Sequence, residues 1–172
     1  MKKKNNKKGF TLAEALIAVL ILLMVSATVA AGVPAAKRAY EKVTVSANAQ
    51  VLISTAASAL RDELGAASDV KQSESGVTFY SAKTGSNARI YTDDAGVVML
   101  ENYIGYDEGA PESTARVLVN EQTSTSDLYV TYDSIEVGTA AAVVKNLRVM
   151  RKSTGERMIF LEEYVIHFMA GA

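Results

Sequence analysis

The sequence predicts an α+β protein in which one long N-terminal helix is laid on an antiparallel β-sheet. Two observations carry this expectation. Residues 10–33 are almost wholly apolar, and residues 34–64 continue with apolar side chains at three- and four-residue steps, the period of a helix. From residue 76 onward the period shortens to two, in brief segments separated by Gly, Asp and Ser, as in strands joined by turns.

The first nine residues, MKKKNNKKG, form a polar leader. They hold five of the 18 basic residues, Lys2, Lys3, Lys4, Lys7 and Lys8. Without them, 13 basic residues face 19 acidic ones, a balance of −6. An acidic remainder does not attract nucleic acid by bulk charge, so no nucleic-acid partner is expected. The apolar run 10–33, as a helix, spans about 35 Å, enough to cross a hydrocarbon core of about 30 Å. The lysine excess before it keeps the N-terminus in the cytoplasm and sends the C-terminal domain outside.

Gly32-Val33-Pro34 ends the run. Gly is a weak helix former and Pro34 lacks a backbone donor, so a break by kinking or local melting is expected at Gly32 and Pro34. Residues 34–64 then read as an amphipathic helix. Ala36, Tyr40, Val43, Ala47, Val51, Leu60 and Leu64 form the stripe expected to pack as core against the sheet, and Gly65 is the expected C-cap.

Residues 65–172 form the sheet domain. Gly76–Ser81, Asn87–Thr92 and Gly96–Glu101 read as strands of an antiparallel meander, with turns at Lys83–Ser86 and Asp93–Gly96. Residues 105–127 read as surface loop, with a brief strand at Ala115–Val119. Asp127–Asp133 alternates as a strand. Ala142–Arg151 and Arg157–Phe168 form a final hairpin around Lys152–Glu156, with a bulge expected near Glu162-Glu163, where the apolar alternation changes phase.

One residue stands out in the apolar run. Glu14 lies five positions into it, and a charge at the centre of a membrane costs at least about 2.5–3.5 kcal/mol, so such residues point to function. A bland alternative is that Glu14, about 6 Å from the helix start, snorkels to the head groups. Its surroundings favour function. The segment Lys8-Gly9-Phe10-Thr11-Leu12-Ala13-Glu14-Ala15-Leu16-Ile17-Ala18-Val19 resembles the class III signal sequence of type IV pilins and pseudopilins. That pattern is a short basic leader ending in Gly, then an aromatic residue, then a Glu as fifth residue of the mature chain. The resemblance is carried by about a dozen residues and extends over a helix of about fifty. The sheet domain contributes no family motif.

The resemblance implies a pilin-like fold and a set of roles. A membrane aspartyl prepilin peptidase would cut between Gly9 and Phe10, and the same enzyme would N-methylate Phe10. Glu14 would pair with the Phe10 ammonium of a neighbouring subunit during assembly. Inside a helix bundle each unpaired charge is costly, so such a pair fixes register more than it adds stability. The implied partners are the peptidase, other pilin subunits, the membrane and, indirectly, an assembly ATPase with its platform protein. The chain would be a single-pass membrane protein and then part of an extracellular or cell-surface filament. A competing reading is an ordinary secretory signal peptide cut after Val29-Ala30-Ala31. The long apolar run, the interrupting Glu14 and the lack of a polar stretch before the small residues weigh against it.

Little else in the sequence points to chemistry. There is no Cys and a single His, His167, so no disulfide, no thiolate and no multi-histidine metal site is expected. Asp93-Asp94 read as turn residues, Asp107 and Glu108 as a solvated loop, and His167 as facing solvent. Lys145, Arg148, Arg151, Lys152 and Arg157 cluster on the last hairpin and could make a small anion or docking patch. No cofactor and no enzymatic activity are expected. The expected function is a structural subunit of a type IV pilus-like filament. A minor subunit is favoured, because the disulfide and calcium loops that the resemblance associates with major subunits are not seen. A pseudopilin of a type II secretion or competence system is one alternative, and a secreted or membrane-tethered binding module is another.

Overall fold

A computed structural model describes residues 11–73, 76–103, 114–119 and 127–169. Helix α1 runs from Leu12 to Leu64, followed by nine strands: β1 Ser68–Ser73, β2 Gly76–Ser81, β3 Ser86–Thr92, β4 Val98–Tyr103, β5 Thr114–Val117, β6 Leu128–Thr131, β7 Ser134–Val137, β8 Ala141–Arg151 and β9 Arg157–His167. The chain divides into two units, 1–44 and 45–172.

The first unit holds the apolar part of α1. Every residue from 11 to 43 is exposed, including Leu20, Ile21, Leu22 and Leu23. The helix is continuous through Gly32 and Pro34, so the local melting expected there is not seen. Pro34 removes one bond, the one its N–H would give to the Ala30 carbonyl. Long helical stretches on both sides already satisfy the cooperative cost of the helix, so one missing bond does not end it.

In the second unit, the end of α1 buries Ala49, Leu52, Ile53, Ala56, Leu60 and Leu64. These form one core with Val77, Phe79, Ala88, Ile90, Val98 and Leu100 from β2–β4 and with Val130, Ile135, Val144, Leu147, Val149 and Ile166 from the later strands. The buried stripe differs from the expected one. Leu60 and Leu64 are core as expected, but Ala36, Tyr40, Val43, Ala47 and Val51 are exposed. Both sets recur at helical spacing, and only the placement of the sheets decides which faces inward. The helix ends where Gly65 donates to the Arg61 carbonyl at 2.7 Å. A Cβ on Gly65 would lie 2.5 Å from that carbonyl oxygen, so the close approach requires glycine.

The strands make two sheets rather than the single sheet expected. β1 to β5 form an antiparallel meander in chain order, while β8 pairs with β6 and β7 along one edge and with β9 along the other. β1 and β7 were not foreseen. The β1 sequence SDVKQS lacks apolar alternation, and it becomes a strand through its pairing with β2. β6 and β7 keep one register on β8, so they behave as one strand interrupted at Tyr132-Asp133.

That interruption explains the phase change read near Glu162-Glu163. β8 buries Ala142 and Val144, then Leu147 and Val149, so its inward face switches at Asn146, whose φ is 51°. The opposite strand switches at the same level, burying Val130 and Tyr132 and then Ile135. The β8–β9 register passes this point without slipping, from Lys145↔Glu163 to Leu147↔Leu161, and the irregularity lies between Val149 and Met150. The expected bulge at Glu162-Glu163 is therefore a shared change of face, and the true register shift falls opposite Met158.

Candidate functional site

The start of α1 is built by a reciprocal cap. Thr11 precedes the first helical residue, and its hydroxyl accepts the Glu14 backbone N–H at 3.3 Å. In return, Glu14 Oε2 accepts the Thr11 backbone N–H at 3.0 Å and the Thr11 hydroxyl at 3.1 Å. This is the capping box that a Thr-x-x-Glu spacing makes: two helix-start N–H groups that no helical carbonyl reaches find side-chain oxygens. The carboxylate also sits at the positive end of the helix macrodipole.

The sequence reading singled out Glu14 but passed over Thr11. The spacing that reveals Thr11 was present, three residues before the Glu at the head of an apolar run. Both Thr11 donors fall on Oε2, and among the described residues nothing is bonded to Oε1. Glu14 can thus serve its own helix and still offer one oxygen outward. Gly9 and Phe10, the expected cleavage pair, lie outside the described residues.

The other candidates are placed as follows. Asp93 makes its turn as expected, its Oδ1 accepting the N–H groups of Ala95 at 3.0 Å and Val97 at 2.8 Å. His167 is exposed on β9. Asp107 and Glu108 lie outside the described residues. The basic cluster of the last hairpin is compensated by acids. Lys145 donates to Glu163, Arg148 to Asp133, and Arg151 lies 3.5 Å from Asp127. Arg157 stacks over the Phe160 ring at 4.1 Å. Hydrogen bonds from Arg148 and then Asn146 hold Asp133 below the usual carboxylate range, and the bond to Glu163 raises Lys145.

Two buried acids, both missed by the sequence reading, serve the fold. Glu63, near the end of α1, is 3.0 Å from Lys83 and 3.9 Å from Arg116. Glu101 on β4 meets Arg89 on β3 directly across the ladder. A buried carboxylate without such partners would be costly. Among the described residues no three side chains of the metal-binding kind come together.

The family model described as the prokaryotic N-terminal methylation motif matches residues 4–30. No curated protein and no solved structure matches the chain. The matched stretch contains Gly9, Phe10, Thr11 and Glu14 and opens a helix long and apolar enough to cross a membrane. The chain thus carries at its N-terminus the class III signal motif of type IV pilin and pseudopilin precursors, at the head of a helix apolar enough for membrane anchoring, and that motif implies processing by prepilin peptidase and assembly with other pilin subunits.

Proposed function

We propose that this protein is a structural, non-enzymatic subunit of a type IV pilus-like extracellular filament, and a minor rather than principal one. The cut falls between Gly9 and Phe10, with the N-terminus on the cytoplasmic side before processing. The observation that carries this reading is the bare apolar surface of α1. Residues 11–43 are exposed among the described residues, and the apolar stripe continues along Ala36, Tyr40, Val43, Ala47 and Val51. A membrane covers the first part before assembly. The stripe beyond it needs another partner, and neighbouring helices of the same kind supply one.

Glu14 is the register device in this reading. Its Oε1 is open to the Phe10 ammonium of the next subunit, while Oε2 keeps the helix capped. The absence of Cys, and so of a disulfide loop, supports the minor role.

The test is Glu14→Ala in the assembling system. The variant is expected to be cut normally, with Phe10 as the mature N-terminus by sequencing, and to yield little filament. Filaments at wild-type yield would leave a membrane-tethered binding module as the better reading. A mature N-terminus other than Phe10 would overturn the assignment altogether.

A further inference from the structure

Between Ala15 and Leu60 the chain has four charged residues, and all of them fall within positions 37–42: Lys37, Arg38, Glu41 and Lys42. All four are exposed on α1, and Tyr40 among them is 73 % exposed. Lys37 lies 3.8 Å from Glu41, while Arg38 and Lys42 have no partner among the described residues. At 3.6 residues per turn the three cations cover about 140° of the helix surface.

The belt falls at a defined depth. Take Leu12 at the inner limit of the hydrocarbon core and a tilt of about 20°. The Cα atoms of Lys37, Arg38 and Lys42 then rise about 35, 37 and 42 Å along the bilayer normal. The core ends at about 30 Å, and the outer head-group layer adds about 5–7 Å. Cα–Cβ bonds of a helix tilt toward its N-terminus, which here means toward the membrane. The cationic ends therefore lie nearer the lipid than their Cα atoms do. Lys and Arg just past a span place their charge at the interface, and Tyr favours the same zone. The five leader lysines outnumber the three outer cations, so the orientation is kept. Residues 45–172 carry 10 basic against 17 acidic residues, so an anionic surface repels that unit as a whole and attracts the belt alone.

We infer that Lys37, Arg38 and Lys42 form a binding site for anionic lipid head groups of the outer leaflet, with Tyr40 as its interfacial anchor. The site holds the unassembled subunit at a fixed depth, and its head groups must be released when the helix leaves the bilayer. The inference deepens the membrane-anchored reading and rests on it.

The chain has no Cys, so Ala39→Cys reports the belt alone. The full-length variant is reconstituted at high lipid excess in vesicles of phosphatidylcholine, with or without phosphatidylglycerol. Its alkylation by an uncharged, water-soluble maleimide is then timed. Each net positive charge near an anionic surface gives about a fivefold preference. With a net charge of +2 in the belt, alkylation in the phosphatidylglycerol vesicles should be at least about fivefold slower, and high salt should remove the difference. Adding Lys37→Gln, Arg38→Gln and Lys42→Gln should abolish it, with helix content by far-ultraviolet circular dichroism unchanged. Equal rates in the two vesicles would overturn the proposal. So would a difference that survives the three Gln substitutions, which would belong to the leader lysines. Protection in phosphatidylcholine alone that fades on dilution in lipid would give the belt to a second copy. Protection by inorganic phosphate alone would make the ligand a free anion, and either result overturns the lipid site. Leu20→Cys tests the underlying reading separately: ready alkylation there means that the helix does not span. A shielded Leu20→Cys beside an indifferent Ala39→Cys refutes the lipid site only.

Discussion

Val51 and Leu52 are neighbours on one helix and should respond very unequally to the same truncation. Leu52 is 2 % exposed and Val51 50 % exposed. Leu52→Ala removes three buried carbon groups, about 2.4 kcal/mol at about 0.8 kcal/mol each. The partly unfilled cavity adds to this, for a total of about 3–4 kcal/mol. Against a domain stability of about 5–15 kcal/mol, that is a large loss. It corresponds to a fall in unfolding midpoint of roughly 10 °C. Val51→Ala removes two carbons from a half-exposed position and should cost under about 1 kcal/mol. Thermal unfolding of the full-length protein in detergent, followed by near-ultraviolet circular dichroism, reads this difference, because Tyr103 and Tyr132 are buried in the sheet unit. Comparable losses from the two variants, or a Leu52→Ala protein within about 1 kcal/mol of wild type, would mean that a different face of α1 packs on the sheets. In the assembling system the order should reverse. Val51→Ser, stable as a subunit, should lower filament yield, since the proposed partner for that face is another helix.

Three further outcomes are expected. Thr11→Val removes the hydroxyl half of the capping box, worth about 1 kcal/mol. Filament yield per processed subunit should fall about fivefold, while Thr11→Ser should assemble normally. Asn146→Val places a β-branched residue at a φ of 51° and should destabilise by about 1–2 kcal/mol, whereas Asn146→Gly should be better tolerated; chemical denaturation distinguishes them. Asp133 is held below its ordinary value of 3.8, so its contribution is complete above that value and is lost as pH falls through the lowered one. Asp133→Asn should therefore flatten the acid limb of stability below about pH 4, by under about 1 kcal/mol for so exposed a pair.

The helix and its membrane half were legible because hydropathy and period say directly what water and lipid will accept. The meander β2–β4 was legible for a similar reason, since Val77, Phe79, Ala88, Ile90, Val98 and Leu100 alternate inward. What escaped depends on partners distant in sequence. β1 is a strand because β2 lies beside it. The stripe from Ala36 to Val51 has the same spacing as a buried stripe, and only the position of the sheets leaves it outside. The phase change in β9 was visible, but its cause was not, because Asn146 sits on another strand and the two strands turn together. At the candidate site, Glu14 was found by its cost in lipid, whereas Thr11 needed a different question, namely which groups satisfy the first N–H groups of the helix.

For a membrane-anchored precursor, the unbroken passage of α1 through Pro34 also bears on where the bilayer would end. Proline leaves the Ala30 carbonyl without its usual donor, and an acceptor stranded in hydrocarbon costs several kcal/mol. Ala30 lies 18 residues beyond Leu12, a rise of about 27 Å, which brings it to the far limit of a core about 30 Å thick. There, water or a head group can take the place of the absent amide. In such a span one imino acid would favour a depth at which lipid gives way to solvent, beyond which an unmet carbonyl would resist further sinking.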